Sequence, residues 1–189
     1  MLDGLLNLVK SMIPVSQNLE NDIKENVVVN TFGKSEFLLK EGQICNHLHF
    51  IVKGVLISYY ELNESEMVNW IFMENDFTIS LTSFYKRQPS FENIIAYEDS
   101  VVVSIHHDQL MMLYDKHVEF NIVGRKLTEF YHCENEAYHI AMRKRRAEDK
   151  YRWLLEKRPE IIQRVPGKYI ASYLGITGET VSRIRRSLG

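Results

Sequence analysis

The hydrophobic pattern changes period along the chain. At the N-terminus Leu5, Leu8, Val9 and Met12 recur at helical spacing, which predicts short helices over 2–13 and 16–26 separated by Pro14. From Glu36 to His106 short runs of Val, Ile, Phe and Tyr alternate with polar residues. They predict strands at 36–41, 48–53, 55–60, 66–74, 91–97 and 101–106, with Gly42 and Gly54 at the breaks. Leu48, Phe50 and Val52 alternate with His49, Ile51 and Lys53, the period of a half-buried strand. Many short strands at this spacing point to an antiparallel sandwich, jelly roll or small barrel rather than a parallel sheet.

After Asp108 the period becomes helical. Phe120, Val123, Leu127, Phe130, Glu134, Ala137 and Ala141 are separated by steps of three and four, and all but Glu134 are apolar. Such a stripe is either a coiled-coil seam or a helix face packed on its own domain, and periodicity alone does not separate them. The narrowness of the strip and the single polar residue inside it favour a dimer seam. Arg143-Lys144-Arg145-Arg146 follows, then a helix over Ala147–Lys157 with Tyr151, Leu154 and Leu155 on one face, closed by Pro159. Pro166 ends the next short segment.

Residues 167–186 carry the most specific local chemistry. Ile170, Ala171 and Leu174 face inward from a first helix. Gly175 stands where a helix end needs a left-handed residue, and Ile176 plugs the turn. Thr177 suits an N-cap and Glu179 the first turn of a second helix, from which Val181 and Ile184 face back. The outward positions of that second helix are Gly178, Glu179, Thr180, Ser182 and Arg183, the candidates for contact with base edges. Arg183 is suited to bidentate contact with a guanine. Lys168, Tyr169, Thr177, Arg185 and Arg186 are the candidate contacts to a DNA backbone.

Charge sharpens this picture. The formal net charge of the 189 residues is only -2, yet residues 141–189 hold 13 Lys/Arg against 5 Asp/Glu. An acidic body with a basic terminal module is the pattern of a polyanion-binding chain. Two cysteines are too few for a disulfide framework, and Asp3 stands where a signal peptide carries cations, so a cytoplasmic protein is expected. No apolar run is long enough for a membrane span. Phosphate loops, dinucleotide fingerprints, zinc-protease motifs and nucleophile elbows are absent from the sequence, which lowers the odds of an enzyme.

The segment Ile-Ala-Ser-Tyr-Leu-Gly-Ile-Thr-Gly-Glu-Thr-Val-Ser-Arg, residues 170–183, resembles the helix-turn-helix of Crp/Fnr-type transcriptional regulators. Leu38-Leu39-Lys40-Glu41-Gly42-Gln43 and Phe50-Ile51-Val52-Lys53-Gly54-Val55 resemble the first glycine-punctuated hairpins of that family's jelly roll. The resemblance implies an α+β chain. A cyclic-nucleotide-binding-like antiparallel jelly roll would occupy 1–116, a long dimerisation helix 117–140 and a helix-turn-helix domain 141–189. It matches Glu179 and Arg183 to the family's base-reading pair. Gly178 replaces a base-contacting Arg of many members, which implies a different target sequence. The sequence reaches Gly189 directly after the second helix, so a domain lacking the β-hairpin wing is expected.

Family members that bind cyclic nucleotides hold the ribose with Gly-Glu and the cyclic phosphate with Arg-Ser/Thr. The matching stretch here has no Gly-Glu, and Ser90-Phe91-Glu92 stands in the Arg-Ser region. An acid there repels a phosphate, so an effector other than a standard cyclic nucleotide is expected. Lys86, Arg87, Ser90 and Glu92 are the candidate effector-pocket residues, with a merely solvated loop tip as the alternative for Lys86 and Arg87. Cys45, His47 and His49 alternate along one stretch, but ordinary polar strand positions explain them better than a metal edge, and two cysteines cannot ligate a four-cysteine cluster. Neither metal nor cofactor is expected.

The resulting expectation is a homodimeric, non-enzymatic DNA-binding transcription regulator reading a pseudo-palindromic double-stranded site through a recognition helix at about 177–187, with RNA polymerase as a candidate further partner and the small-molecule effector unidentified. The competing readings are a ligand-binding or protein-interaction module with a non-specific basic tail, and a metal-dependent enzyme of the cupin kind.

Overall fold

The computed structural model describes residues 2–63 and 65–188. Two helices open the chain, α1 (Leu2–Met12) and α2 (Gln17–Asn26), the second capped by Ser16, whose side chain accepts the Leu19 N–H. Eight strands follow: β1 (Val27–Phe32), β2 (Phe37–Leu39), β3 (His47–Lys53), β4 (Leu56–Leu62), β5 (Ser65–Phe72), β6 (Phe77–Thr78), β7 (Asn93–Ala96) and β8 (Ser100–His106). The helix α3 (Leu81–Lys86) lies between β6 and β7. The strands form two four-stranded sheets, ordered β1-β8-β3-β6 and β2-β7-β4-β5, with the antiparallel crossovers of a jelly roll. Six helices complete the chain: α4 (His107–Lys116), α5 (Phe120–Met142), α6 (Ala147–Lys157), α7 (Pro159–Arg164), α8 (Gly167–Leu174) and α9 (Gly178–Leu188). Antiparallel jelly roll plus C-terminal helices is the expected fold class.

Six strands fall within two or three residues of their expected places. β1 lies outside the expected strands: it is an edge strand whose Val28 and Val29 are exposed, so the burial alternation never develops. β3 departs in a different way. Phe50 and Val103 enter the apolar core against α1, α2, α4 and α5, while His49, Ile51, Val102 and Ser104 on the opposite face are equally buried. The strand is covered on both sides in its middle, not half-exposed. Pro159, expected only to close α6, also begins α7, where a missing N–H costs nothing.

The chain divides into two compact units. The first takes the residues up to Ser58 together with Phe72–Glu129; the second takes Tyr59–Ile71 and everything from Phe130 on. The expected segments 1–116, 117–140 and 141–189 cut the chain differently. The outer part of the β4–β5 hairpin belongs with the C-terminal helices, and the boundary falls inside α5.

In the first unit Asp22 on α2 fastens the end of α4. Its Oδ2 accepts from His117 Nε2 at 2.5 Å and Lys116 Nζ at 2.6 Å. The hydrogen bonds from Lys116, then from His117, hold the Asp22 carboxyl below its ordinary range. A depressed acid stabilises the fold above its unfolded pKa of about 3.9 and ceases to do so as pH falls through the lower folded value. Asp22→Asn is therefore expected to lower the melting temperature at pH 7, with the gap from the parent protein closing below about pH 4. A gap of constant size from pH 7 to pH 3 contradicts this.

Candidate nucleic-acid interface and effector pocket

α8 and α9 are set by local punctuation. Ile170, Ala171, Tyr173 and Leu174 of α8 are buried, and Val181 and Ile184 of α9 face them. Gly175 takes the left-handed conformation (φ 61°) and Ile176 N–H returns to the Ala171 carbonyl at 3.0 Å, ending α8. Thr177 Oγ1 accepts the Thr180 N–H at 3.2 Å, starting α9. The small Gly167 lets Val181 Cγ1 approach to 3.6 Å from where a β-carbon would sit.

With that face buried, Gly178, Glu179, Ser182, Arg183 and Arg186 are exposed, and open space surrounds Gly178. Thr180 is half-buried and its hydroxyl lies 2.9 Å from that of Thr177. Among the described residues Arg183 and Arg186 form no ion pair or hydrogen bond with their side chains. Arg185 differs. Its Nε donates to Tyr151 Oη at 3.2 Å and its Nη2 to the Ile162 carbonyl at 3.1 Å, so this expected backbone contact ties α9 to α6 and α7. Lys168 Nζ lies 4.4 Å above the Tyr169 ring.

The same unit contains Tyr59–Ile71. Ser172 of α8 bonds the backbone of the edge strand β5: its Oγ accepts the Val68 N–H at 2.9 Å and donates to the Glu66 carbonyl at 3.1 Å. Trp70 stands edge-on to Tyr138 and Tyr173, whose rings stack 4.8 Å apart, and Tyr138 Oη donates to the Tyr173 carbonyl at 2.7 Å. Burial pushes the Tyr138 phenol up to about 12, so it remains a donor. Nothing in the local sequence marks Ser172 for this role, because its partners are a hundred positions away.

The candidate effector residues separate in space. Ser90 and Glu92 are buried, and Ser90 Oγ lies 3.0 Å from Ser80 Oγ and 2.8 Å from the Glu92 carbonyl. Ser83 Oγ, accepting the Cys45 N–H at 2.8 Å, closes the same loop. The Arg87 guanidinium donates to the Cys45 carbonyl at 2.7 Å, to the Phe84 carbonyl at 3.3 Å and to Asn46 Oδ1, so it serves the loop's own backbone. Lys86 is exposed at the end of α3. Ser80, not marked in advance, is the nearest partner of Ser90; its signal was its place in the stretch where Gly-Glu is missing.

Deeper in the roll, Asn30 Nδ2 donates to Ser104 Oγ at 2.9 Å, and Ser104 Oγ lies 2.7 Å from His49 Nδ1. Burial, and secondly the neighbouring His47, push His49 down to about 3, so its ring is neutral at physiological pH. Cys45 is buried off the strand, and burial raises its thiol. Among the described residues no group of three or more His, Cys, Asp or Glu is placed to hold a metal ion, and no helix is long and apolar enough to cross a membrane.

The expected seam is divided. Phe120 and Val123 are buried in the first unit's core and Leu127 packs against it. Phe130 is 55% exposed, Glu134 and Ala137 are half-buried, and Ala141 is buried. The N-terminal third of α5 is thus the helix packed on its own domain.

No curated protein sequence matches the chain. Residues 29–117 match the family described as cyclic nucleotide-binding domain. Among solved structures, a Crp/Fnr-family transcriptional regulator from Eubacterium rectale superposes with TM-score 0.70 at 14% identity, over 94% of this chain and 87% of that one. FixK2 from Bradyrhizobium japonicum gives 0.67 at 20% identity, over 86% and 84%. CLP of Xanthomonas campestris, described as a c-di-GMP responsive global regulator, gives 0.66 at 13% identity, over 92% and 91%. Residues 29–117 are therefore a cyclic nucleotide-binding domain in sequence and fold, and the chain as a whole matches the fold of Crp/Fnr regulators.

Proposed function

We propose that the chain is a homodimeric, sequence-specific DNA-binding transcription regulator of the Crp/Fnr type, without enzymatic activity, acting in the cytoplasm. The carrying observation is α9: its apolar side is buried against α8, while Glu179, Ser182 and Arg183 stand exposed on its N-terminal half. A helix inserted in a major groove reads base edges with those positions. Gly178 and Thr180 complete the base-facing set; Lys168, Tyr169, Thr177 and Arg186 suit phosphates, with Arg185 bracing the module behind them. RNA polymerase is a further partner this reading accommodates.

Dimerisation runs along α5, on a stripe shifted from the expected one. The exposed apolar side chains are Ile122, Phe130 and Ile140, and with exposed Cys133 and half-buried Ala137 they follow steps of three and four along one side. Lys126, in the same row, bends its ammonium to the Met12 carbonyl at 2.7 Å. In a parallel in-register pair each core residue meets its own copy, so Cys133 faces Cys133 of the second chain. Diamide is expected to join two Cys133 thiols into a disulfide, the diazene taking up both protons and electrons, and to yield a covalent dimer that Cys133→Ser abolishes. A non-covalent dimer that diamide fails to link would place the seam elsewhere.

The effector of this reading is not a standard cyclic nucleotide. Buried Glu92 stands beside Ser90, and Arg87 is held by loop carbonyls rather than by a pocket. CLP, of the same fold, is described as responsive to c-di-GMP, so the fold is compatible with other effectors. Millimolar cyclic AMP is expected to leave the melting temperature within a degree or so; several degrees of stabilisation would overturn the reading of Ser90 and Glu92.

Selection from a random duplex pool tests the function itself. The expected product is a two-fold symmetric site with half-sites about 10 base pairs apart, centre to centre. Uniform retention of all sequences would support the alternative of a non-specific basic tail.

A further inference from the structure

We propose that Arg143-Lys144-Arg145-Arg146 is a second DNA-binding element, which grips the phosphodiester backbone immediately flanking the half-site read by α9. The inference rests on the DNA-binding reading of α9 and adds a surface outside the α8–α9 pair.

Three observations carry it. All four side chains are exposed, and among the described residues none forms a side-chain hydrogen bond or ion pair. The neighbouring acids do not neutralise them: Glu148 is engaged by Arg152 at 3.1 Å, and Asp149, half-buried, is a single charge against four. The segment is also held at both ends. Arg143 N–H bonds the His139 and Ile140 carbonyls, Lys144 N–H bonds the Ala141 carbonyl, and the Arg146 carbonyl accepts from Asp149 and Lys150 as α6 begins. The cations are presented from a short fixed turn rather than a loose tail.

Position supplies the third. Lys150 Nζ donates to the Leu174 carbonyl at 3.2 Å, which places the start of α6 beside the end of α8. Leu174 precedes Gly178, the first residue of α9, by four positions. Arg146 precedes Lys150 by four residues, about 6 Å of helix. The basic turn therefore lies on the side of the module from which the N-terminus of α9 emerges, and that end enters the groove. Phosphates bordering the groove there are within reach of arginine side chains, which match phosphate with a planar fork. Contacts of this kind position the protein without reading sequence.

The test uses the full chain and the site selected as above. Salt dependence of binding is compared for the parent and the variant Arg143→Ala, Lys144→Ala, Arg145→Ala, Arg146→Ala. Each lost phosphate contact flattens the plot of log affinity against log salt by about 0.9, so a decrease of roughly 2–3 in slope is expected. Affinity should fall by the same factor on the selected site and on scrambled DNA, leaving their ratio unchanged. The charge-keeping variant Arg143→Lys, Arg145→Lys, Arg146→Lys should retain the parent slope, and exposed substitutions should leave the melting temperature in place. An unchanged slope in the alanine variant overturns the proposal, as does a loss confined to the selected site. If the parent protein selects no site, the reading of α9 fails instead, and the two failures are distinct.

Discussion

Gly54→Ala is expected to destabilise the first unit by about 3 kcal/mol or more, lowering its melting temperature by roughly 6–12 °C. Gly54 sits at φ 106°, a backbone region that side chains disfavour. A β-carbon there would stand 2.2 Å from Ser100 Oγ and 2.8 Å from Ser100 Cα. The hydroxyl can rotate away, but the Cα belongs to β8 and moves only with the sheet. Gly54 N–H also donates to Glu74 Oε1 at 2.8 Å, which holds the turn in place. Gly42 provides the control, since its φ is 83° and nothing lies within 4 Å of the position of its missing β-carbon. Gly42→Ala should therefore show backbone strain alone, about 1–2 kcal/mol. Thermal denaturation of both variants decides the matter: equal losses would remove the clash with Ser100 from the explanation.

Arg183→Ala is expected to weaken binding to the selected site by about 5–150-fold, equivalent to about 1–3 kcal/mol, and to relax preference at one base position per half-site. Its guanidinium has no intramolecular partner among the described residues, so removing it should leave the module's stability unchanged. Arg186→Ala should weaken binding to all sequences alike. Arg185→Ala should behave differently again. Its loss frees Tyr151 and the Ile162 carbonyl, so the melting temperature of the second unit should drop while base preference is kept. Binding titrations on the selected and scrambled sites, with melting curves for each variant, separate the three arginines. Equal loss on both DNAs for Arg183→Ala would refute direct base reading by that residue.

What the sequence discloses follows the range of the interactions. The α8–α9 turn was legible because Gly175, Ile176 and Thr177 act on neighbours within a few positions. The same holds for α6, bounded by Arg146 and Pro159. β1 was not legible, because an exposed edge strand carries no alternation, and neither were the two-residue β6 and the six-residue α3. The stripe from Phe120 to Ala141 shows a different limit. Periodicity states that one side of a helix is covered, but not by what, and Phe120 and Val123 turn into their own unit. Arg185 and Ser172 mark the same limit for polar groups: an exposed arginine and a helix serine look alike in sequence whether their partners are solvent, DNA or a distant carbonyl.

The grouping of Tyr59–Ile71 with the C-terminal helices bears on how such a chain can be recombined. A module encoded in one stretch can be transplanted by a single crossover; this one is written in two. A chimera joined anywhere between Phe72 and Phe130 would pair the C-terminal helices with a foreign hairpin, leaving Ser172 without the Val68 and Glu66 backbone groups and Tyr138 and Tyr173 without the edge of Trp70. Exchange of binding specificity between relatives is then confined to the outward positions of α9, while the hairpin and the helices it meets must be inherited together.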